Sequence, residues 1–147
     1  MDIQKFPIEY QDELNSIDEE ALYHGINTDA FTAKKMEPIR SFGFFIKDKN
    51  GEVLAGVSGV TLFGCLYVDM LWVKETLRKQ GLGESLMEHA ENLGLKRGCT
   101  FATVNTMDWQ ALPFYQKLGY EIEFTRTGYH KNSKMHYLKK NLCTNKT

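Results

Sequence analysis

The stretch Leu71-Trp72-Val73-Lys74-Glu75-Thr76-Leu77-Arg78-Lys79-Gln80-Gly81-Leu82-Gly83-Glu84 constrains this chain most. The hydrophobic period changes across it. Leu66 to Val73 is apolar and rich in strand formers, broken only by Asp69, and predicts a strand. Leu82, Leu86, Ala90 and Leu93 recur at helical spacing, with Glu84, Glu88, Glu91 and Lys96 on other faces. A strand ends, a polar loop follows, and a helix begins. Such a junction suits an anion, because the first N–H groups of a helix lack partners within it and the helix dipole is positive there. Gly81 and Gly83 permit unusual backbone angles and a close ligand approach. The same pair would also serve an ordinary loop-to-helix turn. A dinucleotide fingerprint needs a third glycine where Leu86 stands, and a P-loop needs Gly-Lys-Ser/Thr after its spacer. Neither is present.

Around this junction the chain divides into recognisable elements. Residues Asp2 to Tyr10 suggest an edge strand stopped by Pro7, and Gln11 to His24 a helix stopped by Gly25. Asn27 to Arg40 suggests a second short helix and loop ending near Pro38. Ser41 to Lys47 and Glu52 to Leu62 predict strands joined by the turn Asp48-Lys49-Asn50-Gly51. The helix Gly81 to Arg97 is closed by Gly98. Thr100 to Val104 is a buried, parallel strand by composition, and Asn105 to Met107 a loop. Asp108 is a candidate N-cap for a helix Trp109 to Leu118. Tyr120 to Thr125 and Lys134 to Lys140 complete a closing hairpin, and 142–147 is expected to be a frayed tail. The expected fold is α/β, and 147 residues fit a single domain, 1–147.

Arg78-x-x-Gly81-x-Gly83 resembles the coenzyme-binding signature of the GNAT superfamily of N-acetyltransferases. Ala111-x-x-Phe114-Tyr115-x-Lys117-Leu118-Gly119-Tyr120 resembles that superfamily's second motif, and the gap between the two fits one helix and one strand. The resemblance covers Val53 to Tyr120 well. It implies a mixed, mostly antiparallel central sheet with a splayed strand pair and helices on both faces. It also implies direct transfer of acetyl from acetyl-CoA, the co-substrate, to a primary amine. The family cradle would correspond to the backbone of Arg78, Lys79, Gln80, Gly81, Leu82, Gly83 and Glu84, with Arg78 adding a guanidinium contact. The backbone of Leu71, Trp72 and Val73 would hold the pantetheine arm, with Asn105 on the neighbouring strand.

By the same resemblance, the phenol of Tyr115 protonates the leaving thiolate; its other reading is a core aromatic beside Phe114. Asp69 interrupts an apolar strand at an offset where some relatives place an acidic residue facing the acceptor. It is the candidate ammonium anchor and base, or else a sheet residue held in a salt bridge. Many relatives pair through their C-terminal strands, so a homodimer accords with the resemblance. The favoured acceptor is a small molecule. A protein N-terminus or lysine, or a non-catalytic acyl-CoA-binding module, are the rival readings.

Composition excludes other classes. A net charge of −1 gives no electrostatic basis for binding nucleic acid. No apolar run reaches the length of a membrane span, and Met1-Asp2-Ile3-Gln4-Lys5 lacks the pattern of a secretory signal. Cys65, Cys99 and Cys143 lie far apart and suit a reducing cytoplasm rather than a disulfide framework. His24, His89, His130 and His136 have no spacing for a metal, and no metal is expected; His130 and His136 are candidates for the acceptor side.

Overall fold

The computed structural model describes residues 5–143. The chain forms two compact units, Met1–Pro38 and Ile39–Thr147. In the first, residues 5–10 form no strand, and residues 2–4 of that expectation lie outside the described residues. One helix follows, α1 (Ser16–Lys34). The Asn15 side chain caps it, accepting from the N–H groups of Ile17 and Asp18 at 2.9 and 3.1 Å. The helix runs straight through Gly25. A glycine inside a helix costs about 1 kcal/mol relative to alanine, which weakens it without ending it. The stop lies instead at Lys35, whose left-handed backbone (φ 55°) lets its N–H reach the Phe31 carbonyl at 2.7 Å. The two helices expected here are therefore one.

The second unit is a six-stranded sheet with helices. Its strands are β1 (Arg40–Lys47), β2 (Val53–Leu62), β3 (Cys65–Val73), β4 (Phe101–Met107), β5 (Glu121–Tyr129) and β6 (Ser133–Asn141). They lie in the order β1-β2-β3-β4-β6-β5, and only β3–β4 is parallel. The parallel pair is joined by α2 (Leu82–Lys96), as the change of period predicts. The last strand is not left bare: β6 lies between β4 and β5. The edge strand β5 carries two register irregularities, a common guard against edge-to-edge pairing.

One face of the sheet carries the core. Ala55, Val57, Leu66, Val68, Ala102, Val104 and Leu138 pack with Leu86, Met87 and Ala90 of α2 and with Tyr115 and Tyr120. Tyr120 donates to Glu91 on α2 at 2.7 Å, and Lys140 on β6 donates to the same carboxylate at 2.9 Å. Leu142, expected in the frayed tail, packs against the core and donates to the Thr100 carbonyl at 2.8 Å; 144–147 lie outside the described residues.

The helix expected at Trp109–Leu118 is shorter: α3 spans Leu112–Lys117. Pro113 is the reason. Proline lacks an N–H and fits only the first turn of a helix, so a start at Trp109 would place it where a backbone bond is required. Asp108 consequently caps nothing; its N–H bonds the Lys134 carbonyl at 2.8 Å.

The feature that positions the site is a β-bulge. Met70 pairs with Ser58 and Val68 with Gly59, leaving Asp69 as one extra residue in β3. Before it, Leu66 and Val68 point into the core; after it, Leu71 and Val73 do. A bulge bends its strand and sharpens the local twist. Parallel pairing with β4 stops one residue earlier, at Val68↔Val104, while β3 continues to Val73 and β4 to Met107. The two strands therefore part into a wedge.

Candidate active site

The wedge, the loop after β3 and the start of α2 follow one another along the chain and make up the candidate site. Lys74 donates its N–H to Leu54 of β2 at 2.9 Å. Backbone groups alternate along a strand, so those of Val73 and Leu71 face the wedge while those of Trp72 face β2. The Arg78 Nε donates to the Val73 carbonyl at 2.8 Å. Arg78 thus ties the loop back onto β3, a role its sequence position alone does not suggest.

Left-handed backbone at Lys79 (φ 64°) and Gly81 (φ 84°) curls the loop, a turn of the kind whose N–H groups gather into an anion-binding concavity. Gly81 is the N-cap of α2 and offers no capping side chain. The first bond into the helix is Ser85 N–H to the Gly81 carbonyl, 3.0 Å, which leaves the N–H groups of Leu82, Gly83 and Glu84 to point out of the helix end. The two glycines do different work. Gly81 supplies the positive φ. Gly83 has ordinary helical backbone, and a Cβ there would lie 3.2 Å from the Phe114 ring of α3. Its smallness lets α3 pack against the first turn of α2.

That packing fixes Tyr115. Its ring is 6% exposed and meets Phe114 and Tyr120 edge-on, with centroids 5.2 and 5.9 Å away. Burial pushes its phenol up to about 12, so at neutral pH it is a proton donor. No group among the described residues hydrogen-bonds this hydroxyl, and no buried polar atom is left unpaired. The hydroxyl therefore reaches accessible space. Tyr115 is thus a core aromatic whose hydroxyl carries no hydrogen bond among the described residues.

Asp69 is exposed rather than buried, because the bulge turns it out of the core. It makes no ion pair among the described residues, where Lys140–Glu91 is the one salt bridge. Asn105 is the first β4 residue past the parallel pairing and lies opposite Tyr137 of β6. The loop beyond β4 is held by side chains that sequence patterns do not single out. Gln110 accepts from the Met107 N–H at 2.8 Å and Thr106 from the Ala111 N–H at 3.1 Å. Beside it lies an open cavity of about 760 Å³, lined by Met107, Trp109, Tyr129, His130, Lys131 and Ser133. His136 instead shares a 2.8 Å hydrogen bond with Thr125, and His89 lies 2.8 Å from the Ser85 carbonyl. No metal-ligating cluster occurs among the described residues, nor any helix long and apolar enough to cross a membrane.

The model of the Acetyltransferase (GNAT) family matches residues 10–120. The chain belongs to the GNAT acetyltransferase family. A blasticidin-S acetyltransferase of Streptomyces morookaense is 33% identical over 71% of this chain and 78% of its own length. An acetyltransferase of Agrobacterium fabrum is 37% identical over 60% of this chain; the match spans 62% of that relative's length. An acetyltransferase structure from Bacillus cereus shares the GNAT fold at TM-score 0.72 and 24% identity, covering 91% of this chain and 98% of that one. A further solved structure, from Bacillus anthracis and in complex with acetyl coenzyme A, matches at TM-score 0.62 and 14% identity over 71% and 64% of the two chains.

Proposed function

We propose that this GNAT chain transfers acetyl from acetyl-CoA to a primary amine of a small molecule, directly and within a ternary complex. The observation that carries the reading is the wedge between β3 and β4, which opens beside the uncapped start of α2. The N–H groups of Leu82, Gly83 and Glu84, with the curled loop before them, fit the pyrophosphate of the coenzyme. The wedge fits its pantetheine arm, held by the edge backbone of Leu71 and Val73. The small-molecule acceptor draws on the similarity to the blasticidin-S acetyltransferase.

An alkylammonium of pKa about 10.4 is deprotonated at pH 7 at a cost of roughly 4.6 kcal/mol. Asp69 anchors the ammonium and takes up one proton, which frees the nitrogen lone pair to attack the thioester carbonyl. Edge N–H groups of β3 stabilise the charge that develops on the carbonyl oxygen. As the carbon–sulfur bond breaks, Tyr115 donates its phenolic proton to the thiolate, and the second proton released by the nitrogen as the amide forms restores the phenol through solvent.

A panel of primary amines assayed by thiol release tests this reading. Turnover is expected with at least one small amine, and Asp69→Asn is expected to lower kcat/KM about 10²-fold at pH 7. The deficit should shrink toward pH 9.5, where the free amine supplies itself. An equal deficit at both pH values, or none, removes Asp69 from the proton transfer. Turnover confined to peptides would replace the small-molecule acceptor.

A further inference from the structure

The cavity beyond β4 has a lining whose chemistry the transfer steps do not use. Part of it comes from the turn between β4 and α3, and that turn is pinned. Gln110 donates its N–H to the Met107 carbonyl at 3.0 Å, and its side chain accepts from the Met107 N–H. Thr106 holds the Ala111 N–H, and Asp108 donates its N–H to Lys134 of β6. These bonds fix the backbone on both sides of Trp109, whose side chain is nevertheless 67% exposed. Nor is this an isolated apolar side chain, because Met107 and Tyr129 line the same cavity.

The rest of the lining comes from the turn between β5 and β6. Left-handed backbone at Gly128, Lys131 and Asn132 (φ 95°, 59° and 56°) folds that turn tightly, and it supplies Tyr129, His130 and Lys131. No carboxylate lines the cavity, and among the described residues Lys131 makes no ion pair. A volume of about 760 Å³ suits a small organic ligand. An indole, a phenol ring and a thioether favour an aromatic guest. An unpaired lysine with no acidic neighbour in the lining opposes a cationic one.

The cavity belongs to the face of the sheet on which the proposed proton acceptor stands. Ala102, Val104 and Thr106 of β4 are buried, so strand alternation turns Thr103, Asn105 and Met107 the other way. Tyr67 lies between the core residues Leu66 and Val68 and faces the same side. Burial, and then the Asp69 charge, raises its phenol. Asp69 and Asn105 are the first residues past the last parallel pair, Val68↔Val104. Met107 is two residues further along β4, about 7 Å, and the turn after it leads into α3 and Tyr115. The segment that joins the end of the wedge to Tyr115 therefore forms part of the cavity wall.

We infer that this cavity is the subsite for the body of the acceptor, and that it selects a primary amine carried on an aromatic ring with no second cationic group. This rests on the transferase reading and narrows its substrate class. The ring packs against Trp109, Met107 and Tyr129, and Lys131 repels the distal ammonium of a diamine.

The test compares phenethylamine, phenylpropylamine and phenylbutylamine with butylamine, which has no ring, and with hexamethylenediamine, in thiol-release assays with acetyl-CoA. In the native protein kcat/KM for the best phenylalkylamine is expected to exceed that for the diamine about 10²-fold. Trp109→Ala should lower it about tenfold, through KM, and leave butylamine unchanged, while Trp109→Phe should restore most of the loss. Lys131→Glu should raise the diamine about tenfold and leave the phenylalkylamine unchanged. A native preference for the diamine, or an equal Trp109→Ala loss with butylamine, overturns the inference. Phenethyl alcohol, which keeps the ring and lacks the amine, separates this failure from failure of the transferase reading. It is titrated against native protein by NMR at the Trp109 indole N–H, assigned by its absence in Trp109→Phe. A saturable shift without turnover of any amine supports the subsite and removes the transfer. Absence of the shift removes the subsite whether or not amines turn over.

Discussion

Replacing Gly59 with alanine is expected to destabilise the protein by about 3 kcal/mol, lowering its melting temperature by roughly 6–12 °C. Gly59 faces the bulge. A Cβ built there falls inside the van der Waals radius of the Tyr67 carbonyl oxygen and meets the Phe42 ring at 3.0 Å. The first contact is backbone on backbone, so no rotamer change relieves it; β3 must move. Tyr67 is two residues before Asp69, and movement of β3 here shifts both the Asp69 carboxylate and the point where β3 leaves β4. Activity is therefore expected to fall even below the variant's melting temperature. Gly25→Ala is the matched control. A Cβ at Gly25 meets nothing within 4 Å, and the change is expected to stabilise the helix by about 0.5–1 kcal/mol. Thermal melts of both variants decide it. A Gly59→Ala protein that melts within 2 °C of native would show that the bulge does not press the strands together.

The second large effect is kinetic. Tyr115→Phe is expected to lower kcat about 10–100-fold while the affinity for acetyl-CoA changes little. The effect falls at the low end for acid catalysis because a thiol of pKa near 8.5 is a tolerable leaving group. Its pH dependence carries the sign. The native phenol is held at about 12, so it stays protonated through the neutral range, and its loss as an acid begins only as pH approaches that value. From pH 6 to 9 the ratio of native to variant rates should be flat, and it should begin to shrink only as pH nears 12. The ring stays in place in the variant and its hydroxyl has no partner to strand, so stability should change by less than about 1 kcal/mol. Stopped-flow thiol release across this range makes the comparison. A ratio near one throughout would leave Tyr115 as packing only.

The strand–loop–helix junction was legible because three signals coincide there: strand composition, paired glycines and a change of period. The motif around Tyr115 placed α3 correctly but not its start, because Pro113 overrides the cap signal of Asp108. By sequence the helix in residues 16–34 reads as two, because Gly25 resembles a stop, and only the left-handed backbone of Lys35 reveals the real one. The bulge left a trace that alternation alone does not expose: inward positions are even at Leu66 and Val68 and odd at Leu71 and Val73, with Asp69 at the switch.

The central claim is that the uncapped start of α2 holds the pyrophosphate of acetyl-CoA, and a thermal melt with and without ligand tests it most directly. Acetyl-CoA at about one hundred times its dissociation constant is expected to add roughly 2.7 kcal/mol, or about 5–10 °C. Acetyl-pantetheine, which lacks the pyrophosphate, should give a much smaller shift, and Gly81→Asp, which sets a carboxylate at the helix start, should remove most of the coenzyme's effect. Equal shifts with both ligands, or none with acetyl-CoA in folded protein, would contradict the account.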